Sequence, residues 1–199
     1  MKLETKRLIL REPKMGDWKD LVDGLNDLEV SKNLIQVKYP YTEKDARSWV
    51  KHCVIKVKKE EKYNFYIELK SEKKIIGVLD LKVDSNNNIG TTGSWINKKY
   101  QRRGYMTEAK IAVNDFAFNK LKLRKLETSV FNFNIASNST QKRMGYKIEG
   151  LKRKHSISKA TGKIHDEKIY GLLKEEWKKA RPKIIKHLDE KIKKLENRR

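Results

Sequence analysis

The run Gln101-Arg102-Arg103-Gly104-Tyr105-Met106-Thr107 gathers the residue types that bind a phosphate group. Two arginines supply positive charge, and Gly104 lets the backbone approach a ligand closely. Downstream, Met106, Ala109, Val113 and Phe116 recur at intervals of three and four, which predicts an amphipathic helix. Upstream, Gly93-Ser94-Trp95-Ile96-Asn97 reads as the end of a strand. A strand, a short basic turn and a helix start together make an anion trap. The unpaired N–H groups of the first helical turn and the helix dipole both point outward there.

A second block follows at Asn134-Ile135-Ala136-Ser137 and Lys142-Arg143-Met144-Gly145-Tyr146. The chain opens with Leu3-Glu4-Thr5-Lys6-Arg7-Leu8-Ile9-Leu10-Arg11 and later reads Tyr170-Gly171-Leu172-Leu173-Lys174-Glu175-Glu176-Trp177. These four blocks, in this order over residues 3–177, resemble the GNAT superfamily of acetyl-CoA-dependent N-acetyltransferases. Gln101 and Gly104 match its Gln/Arg-x-x-Gly-x-Gly/Ala loop, and Met106 departs from the last position. The words Gly-Tyr-Met-Thr-Glu-Ala and Asn-x-x-Ser are similar to the Rim-type branch, which acetylates ribosomal-protein N-termini.

The resemblance implies an α/β fold whose mixed, mainly antiparallel central sheet splays open at two strands to admit the cofactor, with flanking helices. It implies acetyl-CoA as acetyl donor and no metal. The backbone of Arg102, Arg103, Gly104, Tyr105, Met106 and Thr107 would hold the pyrophosphate beside Gln101. Trp95, Ile96 and Asn97 would run along the pantetheine arm, and Asn134 would hydrogen-bond it. A helical pair would overlie the acceptor site, which makes Tyr39 and Tyr41 substrate contacts; loop aromatics packing on the core is the competing reading.

Amide formation from a thioester needs a neutral amine, an oriented carbonyl and a proton for the departing thiolate. Acetyl-CoA brings an activated acyl group, so no protein nucleophile is required and positioning carries much of the rate. Many superfamily members place a tyrosine seven residues after the asparagine; here that place is Gln141, a poor proton donor. Ser137 matches the serine of the Rim-type branch near the thiol. The same serine also suits the N-cap of the short helix that follows. The family's glutamate before the loop is replaced by Thr91 or Thr92. Glu68 and Asp80 on the preceding strands remain as general bases, with Asp166 a further candidate, and each also suits a solvated strand-face charge.

The whole chain of 199 residues is long enough for one domain with a sizeable core. Lys and Arg number 48 against 26 Asp and Glu, a net charge of +22. Such a field favours polyanionic partners, the ribosome or RNA among them, although a general enrichment in lysine gives the same number. A small cationic acceptor, a polyamine or aminoglycoside, is disfavoured by the same field, and no RRM-type aromatic-plus-basic signature supports a purely nucleic-acid-binding module. Cys53 stands alone, which excludes an internal disulfide, and His52, His155, His165 and His187 lack zinc spacing. With no apolar run of membrane length and no signal region, a cytoplasmic protein is expected, as a monomer or homodimer acting on a protein N-terminus or another amine.

These residues need scaffolding, and the periodicities supply it. Asp17 is expected to cap a helix to residue 26, and Thr42-x-x-Asp45 to open a second whose buried stripe is Ala46, Trp49, Val50 and Cys53. Strands are predicted at 6–11, 63–69, 75–83, 89–97 and 125–131, a helix over 105–120, a short helix over 137–144, and last strands at 146–157 and 165–173. Residues 1–177 then form the acetyltransferase domain and 178–199 a basic helical tail starting at Pro182. Ile185, Leu188, Ile192 and Leu195 give that tail an apolar stripe, and residues 174–199 carry a net +6. Truncation at Arg181 is expected to weaken ribosome association in a salt-dependent way while sparing acetyl-CoA binding. Equal low-salt binding by both proteins in a ribosome-pelleting assay would remove the tail from that role.

Overall fold

The computed structural model describes residues 1–56 and 61–197. A short hairpin, β1 (Lys2–Glu4) and β2 (Leu8–Arg11), leads to helices α1 (Trp18–Leu25), α2 (Leu28–Ser31) and α3 (Glu43–Lys56). Three antiparallel strands follow: β3 (Lys62–Leu69), β4 (Lys74–Asp84) and β5 (Ile89–Ile96). Helix α4 (Tyr105–Asp115) continues as a π turn over Phe116–Lys120, and β6 (Lys125–Phe131) closes the crossover. Then come α5 (Ile135–Arg143), β7 (Lys147–Ile157), β8 (Ile164–Leu173) and the long α6 (Lys174–Glu196). The eight strands form one sheet in the order β1-β2-β3-β4-β5-β6-β8-β7.

Every neighbouring pair is antiparallel except β5 and β6, which run parallel for three residue pairs, Ile89–Lys125, Gly90–Leu126 and Thr91–Glu127. Beyond Thr91 the two strands part. The mixed, mainly antiparallel sheet expected from the sequence is therefore present, and it splits at its one parallel pair.

Side-chain alternation divides the core. One face of β2–β6, carrying Leu8, Leu10, Phe65, Ile67, Leu79, Leu81 and Leu126, packs on Ala109, Val113, Phe116 and Phe118 of the α4 segment. The other face, with Tyr66, Ile75 and Val78, is covered by Leu21 and Leu25 of α1 and Ala46 and Val50 of α3. Removing such areas from water is the main stabilising term. Trp49, expected in the α3 stripe, is instead 40% exposed; Ala46, Val50 and Cys53 suffice to cover the sheet.

One cap and the bounds of the C-terminal helix differ from expectation. Asp17 does not cap α1; its carboxylate is buried and accepts from both Arg11 Nη atoms (2.8 and 2.9 Å) and from the Lys14 N–H (2.7 Å). Thr42 and Asp45 do form the reciprocal box, Thr42 N–H to Asp45 at 2.9 Å and Asp45 N–H to the Thr42 hydroxyl at 3.4 Å. At the far end, β8 stops at Leu173, as expected, and α6 begins at once at Lys174, so Trp177 is helical. The expected boundary at 177/178 and the expected start at Pro182 both fall inside this helix. Pro182 sits on its exposed side, where a missing N–H is tolerated at the cost of one helical bond. Residues 198–199 of the expected tail lie outside the described residues.

Helix α6 is docked, not free. Trp177 donates through Nε1 to Asp115 (2.9 Å), and Arg181 donates to both Asp115 oxygens from Nε (2.8 and 2.9 Å) and again from Nη2 (2.8 Å). Trp177, Ile184, Leu188 and Ile192 are buried, while Ile185 and Leu195 are only partly so. Asp115→Ala leaves Trp177 and Arg181 without their acceptor and is expected to lower stability by about 2 kcal/mol, seen as a lower urea midpoint. An unchanged midpoint would contradict this anchoring.

Candidate active site

The anion loop is tied into both neighbouring elements. Asn97, at the end of β5, accepts the Lys99 N–H at 3.0 Å and donates to Asp23 at 2.9 Å, which fixes a 3-10 turn over Lys98–Tyr100. Gln101 Nε2 then donates back to the Ile96 carbonyl at 3.2 Å. Arg102 and Gly104 take left-handed backbone angles, φ +63° and +82°. Gly104 is the N-cap of α4 and offers no side chain, and the first helical bond runs from the Glu108 N–H to the Gly104 carbonyl at 3.0 Å. The amides of Tyr105, Met106 and Thr107 precede that bond, so the helix itself leaves them to a ligand or water. Arg102 and Arg103 are exposed beside them.

Behind the loop lies a buried ion pair. The Glu108 carboxylate accepts from Thr5 Oγ1 (2.7 Å), the Arg7 N–H (2.8 Å) and Arg7 Nε (2.7 Å). Arg7 Nη1 donates to the Arg103 carbonyl at 3.0 Å, and its guanidinium lies 4.4 Å over the Tyr105 ring. One buried pair thus fastens the β1–β2 turn to the loop. Gly104 is glycine for a reason the sequence did not disclose: an added Cβ would stand 2.8 Å from Leu188 Cδ1 of α6, not in ligand space. Positive φ and the docked helix together impose it. A cavity of about 270 Å³ lies on this back side, lined by Thr5, Glu108, Ala112, Leu188 and Ile192 among others.

The strand along the cleft presents backbone rather than side chains. Trp95 turns to α1, where a Cβ on Gly24 would come within 2.5 Å of its ring, and Ile96 turns to the α4 core. The last links across the split are side chain to backbone: Thr128 Oγ1 to the Thr92 carbonyl (2.8 Å) and Thr92 Oγ1 to the Glu127 carbonyl (3.4 Å). From Gly93 to Ile96 the edge of β5 has no ladder partner on the β6 side. The free edge of β5 therefore suits an extended, amide-bearing arm through its main chain, but Asn97 takes no part in it: its N–H donates to the Ile76 carbonyl (2.8 Å) and its carbonyl accepts the Tyr100 N–H (2.9 Å).

The opposite lip is α5. Its N-cap is Asn134, whose side-chain oxygen accepts the Ser137 N–H at 3.0 Å. The alternative in which Ser137 is the cap is corrected by this bond. The half-buried Ser137 hydroxyl has no protein hydrogen-bond partner among the described residues. Asn138, one residue on, is buried and spreads its amide over the carbonyls of Phe131 (3.0 Å), Asn132 (3.3 Å) and Asn134 (2.7 Å) while accepting from the Tyr170 hydroxyl (2.7 Å).

The candidate bases separate clearly. Glu68, on β3 two strands from the split, is held at Oε2 by Arg11 Nε of β2 in a network that includes Asp17, which places it away from the cleft. Asp166 caps the Lys154 N–H at 2.7 Å near the outer edge and is likewise structural. Asp80 pairs with Gly93 across β4 and β5, and its carboxylate covers the space a Gly93 side chain would fill, 2.9 Å from the ideal Cβ. Burial among protein pushes its carboxyl up to about 6, against the lowering fields of Lys62 and Lys110. That leaves beside the split a carboxyl whose titration burial has moved toward neutrality.

The two expected substrate tyrosines part ways. Tyr39 is 43% exposed, while Tyr41 is buried in the core against α1 and α3, where it contributes packing and no surface to a substrate. A feature the sequence reading passed over is Lys110, which α4 turns into the protein at 3% exposure, with Nζ 3.3 Å from Gln141 Oε1. Its position between Met106 and Val113 on the apolar stripe was the available signal. Among the described residues no His, Cys, Asp and Glu cluster could hold a metal, and no helix is long and apolar enough to cross a membrane.

Residues 7–147 match the family model described as an acetyltransferase (GNAT) domain. The uncharacterized N-acetyltransferase YnaD of Bacillus subtilis (strain 168) is 29% identical over 177 residues, covering 89% of this chain and 99% of its own. The ribosomal-protein-S5-alanine acetyltransferase from Vibrio fischeri superposes with a TM-score of 0.75 at 18% identity, over 89% of this chain and 98% of that one. The microcin C7 self-immunity acetyltransferase MccE, in complex with acetyl-CoA and AMP, does so with a TM-score of 0.74 at 21% identity, over 85% and 93%.

Two outcomes test this geometry. Gly104→Val forces a β-branched residue into positive φ and into Leu188, so acetyl-CoA affinity measured by calorimetry should fall at least about tenfold. Because Leu188 backs the loop, truncation at Arg181 should weaken acetyl-CoA binding as well, against the sparing expected from sequence. Wild-type affinity in both proteins would show that loop geometry does not govern binding.

Proposed function

Because the chain belongs to the acetyltransferase (GNAT) family, we propose that it is an acetyl-CoA-dependent N-acetyltransferase whose acceptor is a protein N-terminal α-amine of the ribosomal-protein type. The observation that carries the reading is the split of β5 and β6 between Asp80 and Ser137, with the anion loop at its end. In this reading acetyl-CoA supplies the activated acyl group. The amides of residues 102–107 bind its diphosphate, and the free edge of Gly93–Ile96 pairs its arm.

The residues then divide the proton work. Asp80, on the α1–α3 side of the sheet, takes a proton from the incoming amine. Ser137, on the opposite lip, hydrogen-bonds the departing sulfur, and Asn134 shapes that lip while its Nδ2 faces no other acceptor among the described residues. Tyr39 stands exposed at the end of the loop that leads into α3, where an acceptor chain can meet it. Transfer is direct, through a ternary complex, since no protein nucleophile is needed.

Charge supports a macromolecular acceptor over a polyamine. The net +22 repels a small polycation, and α6 turns Lys178, Lys179, Lys183, Lys186, Lys193 and Lys194 outward, a surface suited to the ribosome or RNA in the cytoplasm. The fold neighbour named for ribosomal protein S5 is consistent with that acceptor class.

A thiol-release screen over peptide N-termini, polyamines and aminoglycosides tests the acceptor; peptide N-termini should be the best substrates, and a preference for polyamines would overturn the assignment. In the same assay Asp80→Asn should lower kcat/KM on the order of 10²-fold and abolish the acidic limb near pH 6. The sign follows from the raised pKa: below it Asp80 is protonated and cannot accept. Ser137→Ala should lower kcat with little change in melting temperature, because the cap is Asn134. A variant that melts early but turns over normally would reject the catalytic role.

A further inference from the structure

Under the split lies a buried cluster of polar side chains enclosed by otherwise apolar packing. Lys110, Asn114, Thr92, Thr128, Gln141 and Tyr146 are all buried there, drawn from α4, β5, β6, α5 and the segment before β7. Its hydrogen-bonding inventory is unbalanced. Lys110 brings three N–H donors and finds one acceptor, Gln141 Oε1, at 3.3 Å. The Asn114 Nδ2 and the Tyr146 hydroxyl are buried without a well-aligned hydrogen bond, with Asn114 and Thr92 lying beside the phenol, and the Lys110 ammonium sits 5.8 Å from the Tyr146 ring. Thr92 and Thr128 spend their hydroxyls closing the split itself. The cluster is therefore rich in donors, cationic, and short of acceptors. Buried donors of this kind call for an acceptor, and a buried ammonium for negative charge.

We propose that the Lys110–Asn114–Tyr146 cluster is a built-in seat for the negative charge that acetyl transfer places on sulfur, with Lys110 the residue that positions and stabilises that charge. This rests on the acetyl-CoA reading above. As the amine nitrogen bonds to the acyl carbon, the C–S bond breaks and its electron pair goes to sulfur at the parted strands, directly above the cluster. The amine proton goes to Asp80 and on to water. Sulfur gains its proton through Ser137, which water resupplies, and Lys110 keeps its charge throughout. A preorganised charge aimed at a site where charge develops costs no reorganisation during the reaction.

The electrostatics agree with the geometry. Burial brings the Lys110 ammonium down to about 8, with the Asp80 carboxylate on β4 pulling the other way. Asp80 in turn faces Lys62 of β3, while α5 offers only the neutral Gln141 and the segment before β7 only the Tyr146 phenol, which burial raises. Below pH 8 the ammonium form is present; above it the stabilising charge is lost, so the rate falls.

The test uses the product, CoA, bound to the full-length protein, and follows its thiol by ultraviolet thiolate absorbance across pH. Lys110 should favour the bound thiolate by about tenfold, one pKa unit, relative to CoA bound to Lys110→Met. Methionine replaces the buried chain at similar size, and losing a buried, poorly paired charge does not threaten folding. In turnover, Lys110→Met should lower kcat on the order of 10²-fold at constant KM and erase the basic limb near pH 8. Lys110→Arg, which stays charged, should keep activity into higher pH. Bound CoA with the same thiol titration in wild type and Lys110→Met overturns this inference alone. Failure of CoA to bind wild type overturns both it and the reading it rests on.

Discussion

Everything functional in this molecule depends on two parallel strands that stop pairing. β5 and β6 share three residue pairs and then diverge, although both continue as strands for several residues. Main-chain groups left behind by a broken ladder must be satisfied elsewhere. Here side chains do it. Thr128 takes the Thr92 carbonyl at the point of divergence, and the Asn138 amide takes the carbonyls that end β6, itself held by Tyr170 of β8. β6 is thereby drawn toward β8, and the unpaired edge of β5 becomes the wall of the cleft.

The loop at the end of that wall is held with comparable redundancy. Glu108 is the hub: buried, within the N-terminal part of α4, and neutralised by Arg7 so that its charge does not oppose an incoming anion. Arg7 also reaches the Arg103 carbonyl, and Leu188 of α6 packs on Gly104 from behind. The C-terminal helix thus backs the 101–107 loop with its apolar face while its lysines point outward.

The turn into α4 was legible in sequence because glycine and helical periodicity are local signals. What sequence could not resolve were questions settled by neighbours distant in the chain. Glu68 and Asp80 look alike as charges on adjacent strands, yet Arg11 occupies one and a glycine opens space for the other. Ser137 and Asn134 are both good N-caps by type, and only the Ser137 N–H to Asn134 bond tells them apart. Tyr41 reads as a loop aromatic until α1 and α3 close over it. Lys110 sat in plain view on an apolar stripe; its charge disguised its burial.

The central claim is that acetyl-CoA lies with its diphosphate on the amides of residues 102–107 and its arm along β5. Titrating isotope-labelled protein with acetyl-CoA and following backbone amide resonances tests this most directly. The account predicts the largest shifts at Gly104, Tyr105, Met106 and Thr107, with a second group at Gly93–Ile96 and little change in β1 or β2. Saturating acetyl-CoA that moves other amides and leaves those two groups in place would contradict it.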